Sequence, residues 1–241
     1  MFSKSLMTAA ALTAVDALTA QATIVYGDYE GDTIDSLDVS EDDKARFGAP
    51  IVSGDTLVFT PLNFEALAAS GDIDLVDGTL STILMPADDS PLITLELFES
   101  GFFTLSGEGD EDTRVIAGLA VTINILEVDG EVYTDNPSIL NFSEILADFN
   151  LEDDGENLLP AWSGSVSIDI AEAAEQELGI TGDITKAAVV IDNQLIALSE
   201  DDSVAFIDKK AFEIGIVVPE PASLALVGAG AIAIMGRRRY A

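Results

Sequence analysis

The 241-residue sequence has no cysteine and no histidine. Without cysteine there is no disulfide, no thiolate nucleophile and no thiolate metal site, so an exported domain with this sequence is expected to depend on its core alone for stability. Without histidine the usual general base and the commonest metal ligand are gone. A Ser-His-Asp triad, a Cys-His pair and a zinc site built on either residue are therefore excluded. No glycine-rich phosphate loop of the Walker or Rossmann type is present. Basic residues are few, 10 against 44 acids, and the formal charge is -34. A field of that sign repels nucleic acid and anionic lipid, which excludes binding through phosphate contacts and leaves cations and neutral sugars as partners. It also suits saline media, where salt screens repulsion between exposed charges.

The hydrophobic fraction of 48% separates this chain from disordered acidic tails, which hold too little apolar surface to offset chain entropy. A folded core is expected.

Both ends read as addresses. Met1-Phe2-Ser3-Lys4 is followed by an Ala/Leu-rich stretch from Leu6 to Ala20 and then by Ala20-Gln21-Ala22. A basic start, a short apolar run and an A-x-A site predict a signal peptide spanning 1–22, cut by signal peptidase after Ala22. Asp16 argues against it, because a charged carboxylate at the centre of a span opposes insertion by roughly 2.5–3.5 kcal/mol. The alternative is a short N-terminal helix, disfavoured because Thr23-Ile24-Val25-Tyr26 at once begins a strand-like pattern. At the other end, Val218-Pro219-Glu220-Pro221 precedes a charge-free stretch from Ala222 to Gly236 and then Arg237-Arg238-Arg239. A helix over 222–236 covers less than the roughly 30 Å hydrocarbon core, and Gly228, Gly230 and Gly236 weaken it as a lasting anchor. The arginines would stay cytoplasmic, leaving the domain outside.

The order of these three elements resembles the PEP-CTERM protein-sorting signal. The resemblance implies a Gram-negative envelope, transient anchoring through the C-terminal helix, and recognition and processing by the membrane protease exosortase. It also implies the association with exopolysaccharide and biofilm matrix common among such proteins. It covers only residues 217–241, so it speaks to destination and not to the body of the chain. Removing Asp16 and Glu220 from the 44 acids, and Lys4 and the three arginines from the 10 bases, leaves 42 and 6 in the processed chain.

The body, residues 23–216, reads as one acidic all-β domain: a single antiparallel β-sandwich with jelly-roll or Greek-key connections and one or two short helices. Thr56 to Thr60 follows a Ser53-Gly54-Asp55 turn, and Leu92 to Phe98 and Phe102 to Leu105 flank Gly101 in the same way. Asp129-Gly130 predicts a type I′ hairpin between Ile123 and Tyr133. Asp192-Asn193 predicts a second hairpin between Val189 and Ile196. Val166, Ile168 and Ile170, and likewise Phe212, Ile214, Ile216 and Val218, alternate with neighbours in the manner of half-buried strands. Ala171 to Leu178, stopped by Gly179, predicts a short helix, and Ser143 to Phe149 a second. The segment from Phe47-Gly48-Ala49-Pro50 to Phe59-Thr60-Pro61 resembles uncharacterised exported proteins with the same tail, which carry no assigned activity.

Chemistry is hard to find in the body. Carboxylate-only hydrolysis of a polysaccharide needs two acids in the right geometry. With 42 to choose from, no pair stands out, and a solvated surface acid is the ordinary role of each. Calcium suits hard oxygen ligands gathered in loops, and the candidates are Asp110, Asp112, Asp153, Asp154, Asp201 and Asp202. An EF-hand-like start at Asn150 fails, because Ala161 stands where the bidentate glutamate belongs. Trp162, the lone tryptophan, is read either as a core residue or as the platform of a carbohydrate-binding module, with the core reading favoured. Together these features predict a non-catalytic, structural or adhesive surface protein.

Overall fold

A computed structural model describes residues 24–87, 90–135 and 137–217. The alternating pattern builds two seven-stranded antiparallel sheets packed face to face. The first runs β1 (Ile24–Glu30), β2 (Ile34–Glu41), β6 (Ile73–Pro86), β12 (Ile184–Leu198), β8 (Arg114–Val128), β10 (Ile139–Asn150), with β9 (Glu131–Val132) beside β8. The second runs β3 (Ile51–Ser53), β4 (Thr56–Phe59), β14 (Ala211–Val217), β7 (Thr94–Gly107), β13 (Ser203–Asp208), β5 (Glu65–Ala69), with β11 (Asn157–Asp169) on the other edge of β7. Successive strands from β6 to β13 repeatedly change sheet, and the two inner faces share one apolar core.

Two central strands correct the turn-based expectations. Asp192-Asn193 is no hairpin: β12 runs straight through it, bonded to β6 on one side and β8 on the other. Nor does Gly101 break β7: β11 pairs straight past it, with Trp162 opposite Gly101, while on the other edge β14 gives way to β13 there. A strand flanked on both edges has its backbone hydrogen bonds supplied by its neighbours, and that outweighs the local preference of Asn, Asp or Gly for turns. The helix expected over Ser143 to Phe149 is likewise strand, paired with β8 on both sides of a bulge at Leu146.

Other expectations hold. Asp129 and Gly130 have φ of 53° and 75°, as a type I′ turn requires, and join Val128 to Glu131. Gly54, at φ 62°, turns β3 into β4. The helix before Gly179 is α2 (Ile170–Ala173), continued by a π-turn over Ala174–Leu178. Asp169 caps its start by accepting the Glu172 N–H at 2.8 Å, and Gly179 ends it at φ 73°. A one-turn α1 (Leu151–Asp154) follows β10. Asp55 ties the sheets at one edge: its carboxylate accepts the Thr33 and Ile34 N–H groups at 2.6 and 2.9 Å and the Thr33 hydroxyl at 2.8 Å. Burial pushes its pKa up, but these hydrogen bonds outweigh burial and hold it below the usual carboxylate range.

Candidate functional site

Strands β13 and β14 lie in line along β7, with Ile207 opposite Phe103 and Ala211 opposite Ser100. One extra residue therefore bulges between them. Gly101 makes room for it: a Cβ there would stand 1.9 Å from the Asp208 carbonyl oxygen. The bulge is pinned on all sides. The Asp208 carboxylate accepts the Phe102 N–H at 2.7 Å, and the Asp208 carbonyl accepts the Trp162 indole N–H at 2.9 Å. Lys209 N–H donates to Phe64 and Lys210 N–H to Ser100.

The bulge turns the Lys209 side chain into the core, where it is fully buried. Its Nζ lies 2.7 Å from Glu99 Oε2, also fully buried, and donates to Oδ1 of Asn193, buried as well. Glu99 comes from β7 in one sheet and Asn193 from β12 in the other. Aromatic rings enclose the group: Nζ sits 4.7 Å from the Phe64 ring centre and 5.6 Å from that of Phe212, and Phe47 packs against Phe59, Phe64 and Phe212. Gly78, opposite Asn193, keeps the cage closed, since a Cβ there would press on Phe64 and Phe47 at 3.1 and 3.2 Å. Desolvation drives both ionisable groups toward neutrality, raising Glu99 and lowering Lys209 against their mutual attraction.

A second cluster is exposed. Asp110 and Asp112, between β7 and β8, converge with Glu200 from the β12–β13 turn so that one oxygen of each lies within 4.8 Å of the others. Hydrogen bonds within and between these loops already engage Glu200 and Asp110. Glu200 Oε2 accepts the Asp110 N–H at 2.6 Å and the Thr113 hydroxyl at 3.0 Å, and Asp110 Oδ1 accepts the Asp112 N–H at 3.0 Å. The cluster closes one loop over another, and convergence alone assigns no ion. Asp201 and Asp202 are not part of it. Asp153 and Asp154 bond to Asn150 around the start of α1, and Ala161 lies in β11.

Trp162 is 3% exposed and bonded to the bulge, which corrects the alternative of a sugar-facing platform. A groove of about 500 Å³ lies between β10, β11 and α2 and is lined by Glu144, Asp169, Glu172 and Glu177, with Phe142 its lone aromatic. Val218, Pro219, Glu220, Pro221, Arg237, Arg238 and Arg239, the expected span 222–236, and the signal-peptide residues Ala20 and Ala22 lie outside the described residues. Among the described residues no helix is long and apolar enough to cross a membrane.

Residues 217–239 match the model of the PEP-CTERM protein-sorting motif. The chain carries a PEP-CTERM sorting signal. That signal implies export, a C-terminal membrane anchor before processing, and exosortase as the processing enzyme. No curated protein matches the chain by sequence. Among solved structures, TmCBM61 in complex with β-1,4-galactotriose is 9% identical over 73% of this chain and 86% of its own, with a TM-score of 0.24. A loop-swap mutant of Necallimastix patriciarum Xyn11A is 8% identical over 79% and 94%, TM-score 0.27. The family 12 xyloglucanase from Bacillus licheniformis is 8% identical over 79% and 95%, TM-score 0.22. These are likenesses of fold alone. The PEP-CTERM signal begins at Val217, the last residue of β14.

The sequence reading missed the Lys209–Glu99–Asn193 group. The signal lay in strand phase: Asn193 falls in the inward series Val189, Ile191, Leu195, Ala197, and Glu99 in the series Leu95, Leu97, Phe103, Leu105. Both were hidden by reading turns at Asp192-Asn193 and Gly101.

Proposed function

We propose that the protein is an exported, exosortase-processed component of the cell surface or extracellular matrix, with a structural or adhesive role toward exopolysaccharide and no catalytic activity of its own. The observation that carries this reading is the sorting motif at residues 217–239 joined directly to a β-sandwich. The density of carboxylates supports contact with hydrated polymer over contact with nucleic acid or anionic lipid.

Mass spectrometry of the protein recovered from envelope and medium tests the processing: loss of the tail near Pro219 is expected, and a mature form that keeps Arg237 to Arg239 would refute it. Incubation with the host's exopolysaccharide tests the role. Retention of the polymer without cleavage fits an adhesive role, retention of neither kind fits a purely structural one, and release of reducing ends overturns the non-catalytic reading in favour of the carboxylate-lined groove.

A further inference from the structure

A lysine, a glutamate and an asparagine that meet in a dry aromatic cage are a costly arrangement for mere packing. Taking an ion pair out of water penalises both charges, and the pair is repaid only when every remaining polar atom finds a partner. Here it is not repaid: Asn193 Nδ2 and Glu99 Oε1 have no hydrogen-bond partner among the described residues. The arrangement has instead the parts of a reaction. Lys209 Nζ is a nucleophile held against a carboxamide, Glu99 is a proton carrier 2.7 Å from it, and the unpartnered Nδ2 is a leaving group.

We propose that Lys209 Nζ and Asn193 Cγ join in an intramolecular isopeptide bond, with Glu99 as the catalytic residue and ammonia as the released product. The step balances without any co-reactant. Loss of solvation moves a proton from the Lys209 ammonium to the Glu99 carboxylate, leaving a neutral amine and a neutral acid, the direction in which burial shifts both groups. The amine lone pair attacks Asn193 Cγ, and Oδ1 carries the developing negative charge. As the intermediate collapses, the Cγ–Nδ2 bond breaks. Glu99 gives its proton to Nδ2 and takes one from Nζ, so the Lys209 ammonium, the Glu99 carboxylate and the Asn193 carboxamide become one secondary amide, one carboxylic acid and one ammonia.

Holding the reactants in contact supplies an effective concentration on the order of 10⁵–10⁸ M for well-aligned groups. Exclusion of water by Phe47, Phe59, Phe64 and Phe212 suppresses the competing hydrolysis of Asn193 to aspartate. The product is a neutral amide, so the core loses both of its charges. It bridges β12 of one sheet and the β13–β14 bulge of the other, and closes a ring across positions 16 apart in sequence.

Peptide mapping of the purified full-length protein tests it. Trypsin should fail to cut after Lys209 and should yield residues 187–210 lighter by about 17 Da, the mass of one ammonia, with no fragment ions from inside the ring. A protease cutting at acidic residues should then open the ring at Glu200, Asp201 or Asp202, leaving two peptides joined through Asn193 and Lys209. Cleavage after Lys209 with residues 187–209 at unmodified mass would overturn the proposal. Glu99→Gln should give the unlinked peptides, and a fully linked Glu99→Gln would overturn the role of Glu99. Because the wild-type map decides whether the bond exists, the test survives a variant that fails to fold.

Discussion

Among the described residues, two clusters of charged side chains teach opposite lessons. At Asp110, Asp112 and Glu200 the charges are of the abundant kind and reach water, and the Asp110 and Glu200 carboxylates accept N–H and O–H groups of the loop from Asp110 to Thr113. At Lys209, Glu99 and Asn193 a residue of the scarce basic kind is withdrawn wholly from water and matched with one acid and one amide. In a chain with 44 acids, a meeting of carboxylates says little. A buried lysine whose neighbours are left incompletely bonded says much more, because Glu99, Asn193 and the Phe64 and Phe212 rings offset its desolvation only in part.

The contrast can be broken at several points. Lys209→Ala strikes hardest. It strands Glu99 in the core, at about 3–5 kcal/mol for a buried pair cut on one side, and removes a cross-link whose effect on a ring of this size is about 3 kcal/mol by analogy with disulfides. These two figures overlap, so the expected loss, read by denaturant unfolding, is at least the larger.

Gly101→Ala comes next. The added methyl group meets the Asp208 carbonyl, so the bulge must shift and overpacking of about 1–3 kcal/mol is expected. The sharper readout is peptide mapping, in which the variant should show reduced linkage of Lys209 although neither linked residue has been touched.

Asp192→Asn probes the outer face beside the buried group. Burial first, and then the nearby Asp77 and Asp42 opposed by Lys44, raise the pKa of Asp192 from 3.8 to about 6. Its raised folded-state pKa means that the folded form favours the protonated acid. Its contribution is therefore full below about pH 4 and lost as pH rises through about 6. The asparagine variant should be more stable than wild type at pH 7, by about 1 kcal/mol after allowance for solvent screening. That advantage should vanish near pH 4, as melting curves across the window will show.

Glu200→Gln should do least, about 1 kcal/mol or below, since it weakens a solvent-facing staple. A melting temperature that rises with millimolar calcium at fixed ionic strength in wild type, and not in this variant, would move the acidic cluster from staple to cation site.

Much of the fold was legible because alternation is a direct record of which side chains face the core. The Asp129-Gly130 turn and the Gly179 cap follow from residues whose backbone freedom is read locally. The errors have one cause. At Asp192-Asn193, at Gly101 and over Ser143 to Phe149, local preference was trusted where strands on either side decide the outcome, and that information sits far away in the chain. The buried group was hidden by the same errors, since Asn193 and Glu99 look misplaced only once β12 and β7 are known to be continuous. Lys209 was out of reach for another reason: its inward turn depends on a bulge that Gly101 permits and Trp162 holds.

The in-line arrangement of β13 and β14 along β7 has a mechanical meaning. A load applied beyond Val217 enters the body through β14, which is bonded to β7 from Ala211 to Val217 and to β4 from Phe212 to Gly215, so a pull along the strand loads two ladders in shear. With Lys209 joined to Asn193, the force that passes β14 is handed at the bulge to the centre of the opposite sheet. Extension would stop there, and the residues between the linked positions would be shielded from tension.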